Sequence, residues 1–312
     1  MGRFILFLVV FFFSLSPLSA KKIQHRFIAS DESGQQIIYV DEAKPKKNWQ
    51  APIKCRDMQL IGKKQLLVNS AKGYKILSIT KKGKIVKEFQ ATGFQSVSSV
   101  RRMADGKTYL AGKGSSHPVI IQVLNKKNKL IKTINVDSKI KDVRLMRRTA
   151  QGTFFLGFGE FIYELNEEGA IIWQQKIAGG RHIYKAVRTQ KGDVYVASGY
   201  GSSVHQISKS GKTIRELGKK AGQNLRHPDF FADFQILKNE HVVVANWMGH
   251  GRHDSKKGQQ LAEYDKKGDL LWSWHDPEMA GCLHAVIILD KLNTKKLHTE
   301  ENGRLAPAKT RK

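Results

Sequence analysis

Short runs in which apolar residues alternate with polar ones recur along the chain, interrupted by Gly, Asn, Asp or Lys, and a period of two marks strands with one buried face. The runs themselves repeat. "DMQLIGKKQLLV" from Asp57, "SVRRMADGKTYL" from Ser99, "DVRLMRRTAQGTFFL" from Asp142, "AVRTQKGDVYVA" from Ala186, "DFQILKNEHVVV" from Asp233 and "AVIILDKLNTKK" from Ala285 align as one pattern, their starts 42, 43, 44, 47 and 52 residues apart. A second pattern completes the first five units: "YKILSITKKGKIVKEF", "IIQVLNKKNKLIKTI", "IYELNEEGAIIWQQKI", "VHQISKSGKTIREL" and "LAEYDKKGDLLWSW". Each of these is two alternating runs joined by a turn carrying Gly83, Asn128, Gly169, Gly211 or Gly268, the sequence form of a β-hairpin.

Each unit therefore predicts four strands, A to D, and no unit shows the i, i+3, i+4 spacing of a helical repeat. Four-stranded sheets must stack face to face to bury both surfaces, so a period of this length predicts a propeller. The last unit supplies only strand A, "LHAVIILD", whereas "RFIASD", "QIIYV" and "KNWQ" near the N-terminus resemble B, C and D. The expected fold is all-β: a six-bladed β-propeller with four antiparallel strands per blade, closed by N- and C-terminal strands sharing the last blade. It covers residues 25–294, followed by a disordered basic tail over 295–312.

Residues 1–20 are set apart. Arg3, the apolar run Phe4 to Phe13 and then "SLSPLSA" have the build of a secretory signal cleaved after Ala20. The run falls short of the ~20 residues that span a bilayer, so no stable transmembrane anchor is expected. The expectation is export, to a periplasmic or extracellular location. Cys55 and Cys282 are the only cysteines in the chain. Two free buried thiols are the favoured state, with a disulfide left open.

The formal charge is +27, and export turns it away from nucleic acid as a partner. Anionic envelope polymers or an anionic membrane surface fit better, as does a Lys-rich surface that serves only solubility. The lysine pairs Lys63-Lys64, Lys81-Lys82, Lys126-Lys127 and Lys266-Lys267 fall in turns on one predicted face without interleaved aromatics, unlike a nucleic-acid surface.

Strand alternation places the D-to-A and B-to-C connections on the other face. There lie His182, His227 and the beginning of the last strand A at His284, together with "NWMGHGRHDSKKGQQ", an unusually long B-to-C connection bearing Trp247, His250 and His253. The first residues of each strand A should ring the channel mouth, Arg56, Asp57, Lys141, Lys185, Asp233 and His284 among them. Trp247, His250, His182, His227, Asp233, Arg56, Lys141, Lys185 and His284 are the candidate ligand contacts, for an unidentified small-molecule, glycan or protein ligand. The alternative is a plug in which the same charges pair with one another. Trp49, Trp173 and Trp272 share one place in strand D and should pack between blades.

His227, Asp229, Asp233, His250, His253 and His284 offer metal donors, but without a tight ligand spacing, so no metal site and no cofactor is assigned. Catalysis would fall to His284 or His227, with Asp233 or Asp57 as a conceivable partner of His284. A non-enzymatic binding protein is favoured over an enzyme.

Two resemblances follow. "YELNEEGAIIWQQKI" and "AEYDKKGDLLWSWHD" resemble the repeat of quinoprotein-like propellers (PQQ-like repeats), and the likeness implies fold more than activity, since six units and no quinone or calcium constellation depart from the dehydrogenases of that group. "HPDFFADFQILKNEHVVVANWMGHG" is similar to the arylsulfotransferase-like propellers. That likeness implies a channel-facing His as sulfate acceptor, best matched by His284 in "LHAVIIL", although Ala285 stands where the family pattern has Asp.

Overall fold

The computed structural model describes residues 22–218 and 225–309, so the expected signal segment lies outside the described residues. The local unit is the C–D hairpin, and its sequence explains its shape. Asn125 Oδ1 accepts from the backbone N–H groups of Lys127 and Lys129, Asn166 from Glu168 and Ala170, and Asp265 from Lys267 and Asp269. These Asx turns reverse the chain, and a left-handed residue, Asn128 at φ 61° or Gly169 at φ 89°, completes each reversal. Gly83 does the same at φ 78°, and there the absent side chain also matters: a Cβ would meet the Ala51 Cβ of the neighbouring blade at 2.6 Å.

Six four-stranded antiparallel sheets result. Blade one comprises Met58–Leu60, Gln65–Ser70, Gly73–Ser78 and Lys84–Gln90, and blade two Phe94–Arg102, Thr108–Gly114, Ile120–Leu124 and Leu130–Asn135. Blade three comprises Arg147–Arg148, Phe154–Phe158, Phe161–Leu165 and Ile171–Lys176, and blade four Lys185–Arg188, Val194–Ala197, Val204–Ile207 and Thr213–Leu217. Blade five comprises Phe230–Ile236, Val242–Trp247, Leu261–Tyr264 and Leu270–Trp274. Blade six takes strand A, Leu283–Ile288, from one end of the chain and Arg26–Asp31, Gln36–Asp41 and Trp49–Ala51 from the other. The two ends meet in register, Phe27 against Ile288 and Ala29 against Val286, and the ring closes as the sequence predicts.

The apolar cores lie between blades. Trp49 is packed between blades six and one, Trp173 between three and four, and Trp272 between five and six, so all three tryptophans at this repeat position serve the interfaces. The seam carries a polar clasp as well. The buried His25 ring contacts Asp290 at 2.6 Å through Nδ1 and Glu263 at 2.6 Å through Nε2. Burial alone would make this imidazole harder to protonate, but the two carboxylates outweigh it and raise its pKa to about 9.

The expectation of a disordered tail is corrected. Residues 295–309 fold back under the ring on the face opposite the mouth, where Leu297 bridges Ile61 and the Lys63 and Lys64 N–H groups donate to the Lys295 and Thr294 carbonyls. His298–Thr299 then pairs with Ala306–Pro307 as a small hairpin. Its turn carries Glu300 into the channel, where the carboxylate pairs with Arg147 and Lys185 and adds to the backbone contacts that hold the segment.

Candidate functional site

Two layers of side chains fill the channel, and they have different chemistry. The inner layer is a closed set of ion pairs. Glu300 Oε1 accepts from Lys185 Nζ at 2.6 Å, and its Oε2 accepts from Arg147 Nε at 2.6 Å and lies 3.9 Å from Arg101 Nη2. Asp57 pairs with Arg101 and Arg147 and accepts from Ser99 Oγ at 2.5 Å. Asp233 lies 2.8 Å from Lys185 Nζ, whose third acceptor is the Phe234 carbonyl at 2.7 Å. Three cations thus meet three carboxylates, all buried except Glu300, whose side chain is 10% exposed. Burial would raise the pKa of Glu300, but Lys185, Arg147 and Arg101 hold it down at about 2.

Asp233 and Lys185, expected as ligand contacts, belong to this sealed layer, which realises the plug for that part of the ring. Their polar atoms are already used by neighbours, and each is less than 5% exposed. The conceivable partnership of Asp57 or Asp233 with His284 is corrected for the same reason: both carboxylates are held by the cations and by backbone N–H groups.

The outer layer, at the mouth, is aromatic. His284 contacts Tyr184 (Nδ1 to Oη 3.2 Å) and packs beside Trp247 with ring centroids 5.5 Å apart. Trp247 meets His250 at 4.7 Å and Phe230 at 5.5 Å, and Phe230 extends the cluster to Tyr200 at 4.7 Å. His182 packs on Tyr184 and Phe230 and accepts at Nε2 from Arg144 Nε at 3.2 Å. The structure therefore brings His182, Trp247, His250 and His284 together on one rim. Arg56 flanks them, paired with Glu32 at 3.2 Å, and His250 Nδ1 lies 3.4 Å from the other Glu32 oxygen.

Local sequence explains the placement. Trp247 ends strand B of blade five and pairs in register with Phe230, which begins strand A. The long connection after it is held as an ordered loop by Arg252, which donates to the Pro277 and Glu278 carbonyls at 2.9 Å each, and by Asp254, which accepts from Gly251 N–H at 2.8 Å. Buried Asn246 ties both ends, donating to the His227 and Gln259 carbonyls and accepting from Asp229 N–H.

The remaining candidates lie apart. His227 is about half exposed, 3.8 Å from Asp229, and makes none of the ring contacts of the cluster. Lys141 is exposed, and the neighbouring acid, Asp142, pairs instead with Arg144 at 3.0 Å. Among the described residues, no three of His, Cys, Asp and Glu gather as a metal cage. Both cysteines are buried and free.

Burial drives the His284 pKa well below its usual value, helped by the charges of Arg56 and Arg144, so the ring is neutral in ordinary buffers. Burial likewise pushes the Tyr184 phenol up to about 12. The indole Nε1–H of Trp247 is buried without a hydrogen-bond partner. Such an orphan donor is uncommon in a folded interior.

Beside the cluster, a cavity of about 450 Å³ opens between blades three and four, lined by Glu160, Lys176, the Gly179-Gly180 backbone, Arg181 and Tyr200. A larger one, about 910 Å³, lies on the opposite face between blades four and five and the C-terminal segment, lined by Arg215, Glu240 and Arg304 among others. The smaller cavity is the one contiguous with the aromatic cluster, through Tyr200.

No family model matches the chain, and no curated protein matches it. Solved structures do. A protein of unknown function from Bacteroides caccae superposes with a TM-score of 0.70 at 20% identity over 85% of this chain and 98% of that one. A catalytically inactive variant of virginiamycin B lyase from Staphylococcus aureus, solved with quinupristin, gives 0.53 at 10% identity over 89% and 88%. The WD40 propeller domain of Doa1 gives 0.51 at 14% over 80% of each chain. At these identities the likeness is one of fold.

Proposed function

We propose that the protein is an exported propeller that binds a ligand at the mouth face without transforming it. The observation that carries this reading is the aromatic cluster of Trp247, His284, Tyr184, Phe230 and Tyr200, which runs on through Tyr200 into a cavity of about 450 Å³. That volume falls in the range of small-ligand sites. Export rests on the pattern of residues 3–20.

The chemistry narrows the ligand class. Tyr200 is 44% exposed and offers a flat face, Arg181 stands 5.8 Å from that ring, and the Trp247 N–H lacks an acceptor. A small molecule or glycan with an apolar ring face and hydrogen-bond acceptors fits this set. His250, three-quarters exposed over Trp247, is the group that would turn aside to admit an acceptor. A thermal-shift screen against oligosaccharides and aromatic small molecules tests the proposal: hits should vanish in Tyr200→Ala and in the double variant Trp247→Ala, His250→Ala. Hits that survive both variants, or a screen without hits, would reject the mouth as the site.

The second reading is enzymatic, with His284 as nucleophile in the manner of the arylsulfotransferase-like propellers. It is favoured by one observation, a neutral imidazole held by Tyr184 at the channel mouth. Turnover of an aryl sulfate donor, abolished by His284→Asn, would establish it in place of simple binding.

A further inference from the structure

The outermost strands carry a pattern that neither the fold nor the mouth accounts for. Apart from Tyr200, the most exposed large hydrophobic side chains among the described residues all lie on strand D: Ile85, Val86, Leu130, Ile131, Ile172, Ile214 and Leu271. Ile85, Ile131, Ile172, Ile214 and Leu271 are each the second residue of their strand. The C–D turns lie on the face opposite the mouth, so these side chains form a belt just above the edge of that face.

Blades one and two concentrate the feature. Each presents two aliphatics bracketed by lysines, Lys84-Ile85-Val86-Lys87 and Lys129-Leu130-Ile131-Lys132, and all eight side chains are exposed. The turns immediately before them add Lys81-Lys82 and Lys126-Lys127, also exposed. The two rims are fixed side by side, because Tyr74 Oη of blade one donates to Asn128 Oδ1 in the turn of blade two at 2.6 Å. Ile85 and Val86 are 40% and 46% exposed, Leu130 and Ile131 49% and 52%.

Lysines alone suffice to protect an outer strand from pairing with another sheet. Clustered aliphatics between them have the opposite effect on solubility and mark a contact surface. Lysine heads at the level of a turn, with branched aliphatics one residue beyond, match an interface whose outer layer is anionic and whose inner layer is apolar. We propose that the rim of blades one and two docks on an anionic lipid bilayer, its lysines against the phosphates and Ile85, Val86, Leu130 and Ile131 dipping into the headgroup boundary. Docked in this way, the protein holds its mouth away from the membrane.

The test uses the full chain with vesicles of phosphatidylcholine alone or enriched in phosphatidylglycerol. An environment-sensitive dye is attached through Ile131→Cys or, on the mouth face, through Ala178→Cys, since Cys55 and Cys282 are buried. The dye at position 131 should shift to an apolar emission on the anionic vesicles only, while the dye at position 178 stays in water. The triple variant Ile85→Ser, Val86→Ser, Leu130→Ser should bind these vesicles at least about tenfold more weakly, with retention on a heparin-like resin unchanged. An unshifted dye at position 131, or a triple variant that binds as tightly as the parent, overturns the proposal. Equal loss from the resin would make the partner a soluble polyanion, and a dimer dissolved by the serines would make it a second copy of the chain; both outcomes also overturn it.

Discussion

Glu300, from a segment beyond the last blade strand, accepts a hydrogen bond from Lys185 Nζ at 2.6 Å inside the channel formed by the other strands. Glu300 is the carboxylate that brings the buried cations Arg101, Arg147 and Lys185 to neutrality with Asp57 and Asp233. Removing one member of such a set leaves a buried charge uncompensated, at a cost of about 3–5 kcal/mol. Glu300→Gln should therefore lower the midpoint of urea denaturation by that equivalent. Equal midpoints for Glu300→Gln and the parent would remove the ion set from the account of stability.

The acid limb of stability follows from the same residue. The folded pKa of Glu300 lies near 2, below its usual 4.5, so its contribution is present in full above pH 4.5 and is lost as pH falls through about 2. The alkaline limb belongs to His25, whose folded pKa is raised from 6.5 to about 9. Its contribution is present below pH 6.5 and is lost as pH rises through about 9, a change of up to about 3 kcal/mol for a shift of this size. Between these limits the buried neutral His284, whose folded pKa is depressed, adds a decline of its own as pH falls below 6.5, so denaturant titration should find the stability maximum near pH 6.5. His25→Gln should abolish the alkaline decline, since it removes the proton that Glu263 and Asp290 hold.

His284 should behave in the opposite sense from His25. Its surroundings disfavour the charged ring, through burial first and then Arg56 and Arg144, so its imidazole resonances should not titrate between pH 5 and 8 in an NMR series. Arg56→Gln removes one nearby positive charge and should raise the His284 pKa. A His284 that titrates near its usual value would show that water reaches the mouth cluster.

Much of the architecture was legible in the sequence, and the reason is repetition. A period-two pattern is weak in one strand, but five hairpins with Asn, Asp, Ser or Gly at matched offsets reinforce one another, and the sharing of blade six followed from what each end lacked. The rim holding Trp247, His250, His182 and His284 was legible too, because strand alternation fixes the face of every connection. The depth of each side chain was not. Lys185 stands at the same strand-A end as Arg56 and His284, and Asp233 was expected there too but lies mid-strand in Phe230–Ile236; only the three-dimensional ring shows Lys185 facing Asp233 and Glu300. Glu300 was hidden in a segment rich in Lys and Arg. The available signal was a pair of adjacent glutamates, Glu300 and Glu301, following strand-A positions that carry Arg101, Arg147 and Lys185.

Cys55 and Cys282 offer a check on the closed seam. Both thiols are buried beside blade six, where Cys55 Sγ faces Ser30 Oγ at 3.5 Å and Cys282 N–H donates to Ser33 Oγ at 2.7 Å. Burial pushes the Cys55 thiol up to about 12 and the Cys282 thiol up to about 11, so neither forms the reactive thiolate near neutral pH. Native protein should leave both unlabelled by a thiol reagent at pH 7.5, and denaturant should expose two equivalents together, because blade six joins the two ends of the chain. If Cys282 alone reacted in the native state, the adjoining strand A of that blade would be opening on its own, and the seam would be the weakest element of the ring. In that case His25→Gln, which loosens the clasp between blades five and six, should speed the labelling of Cys282.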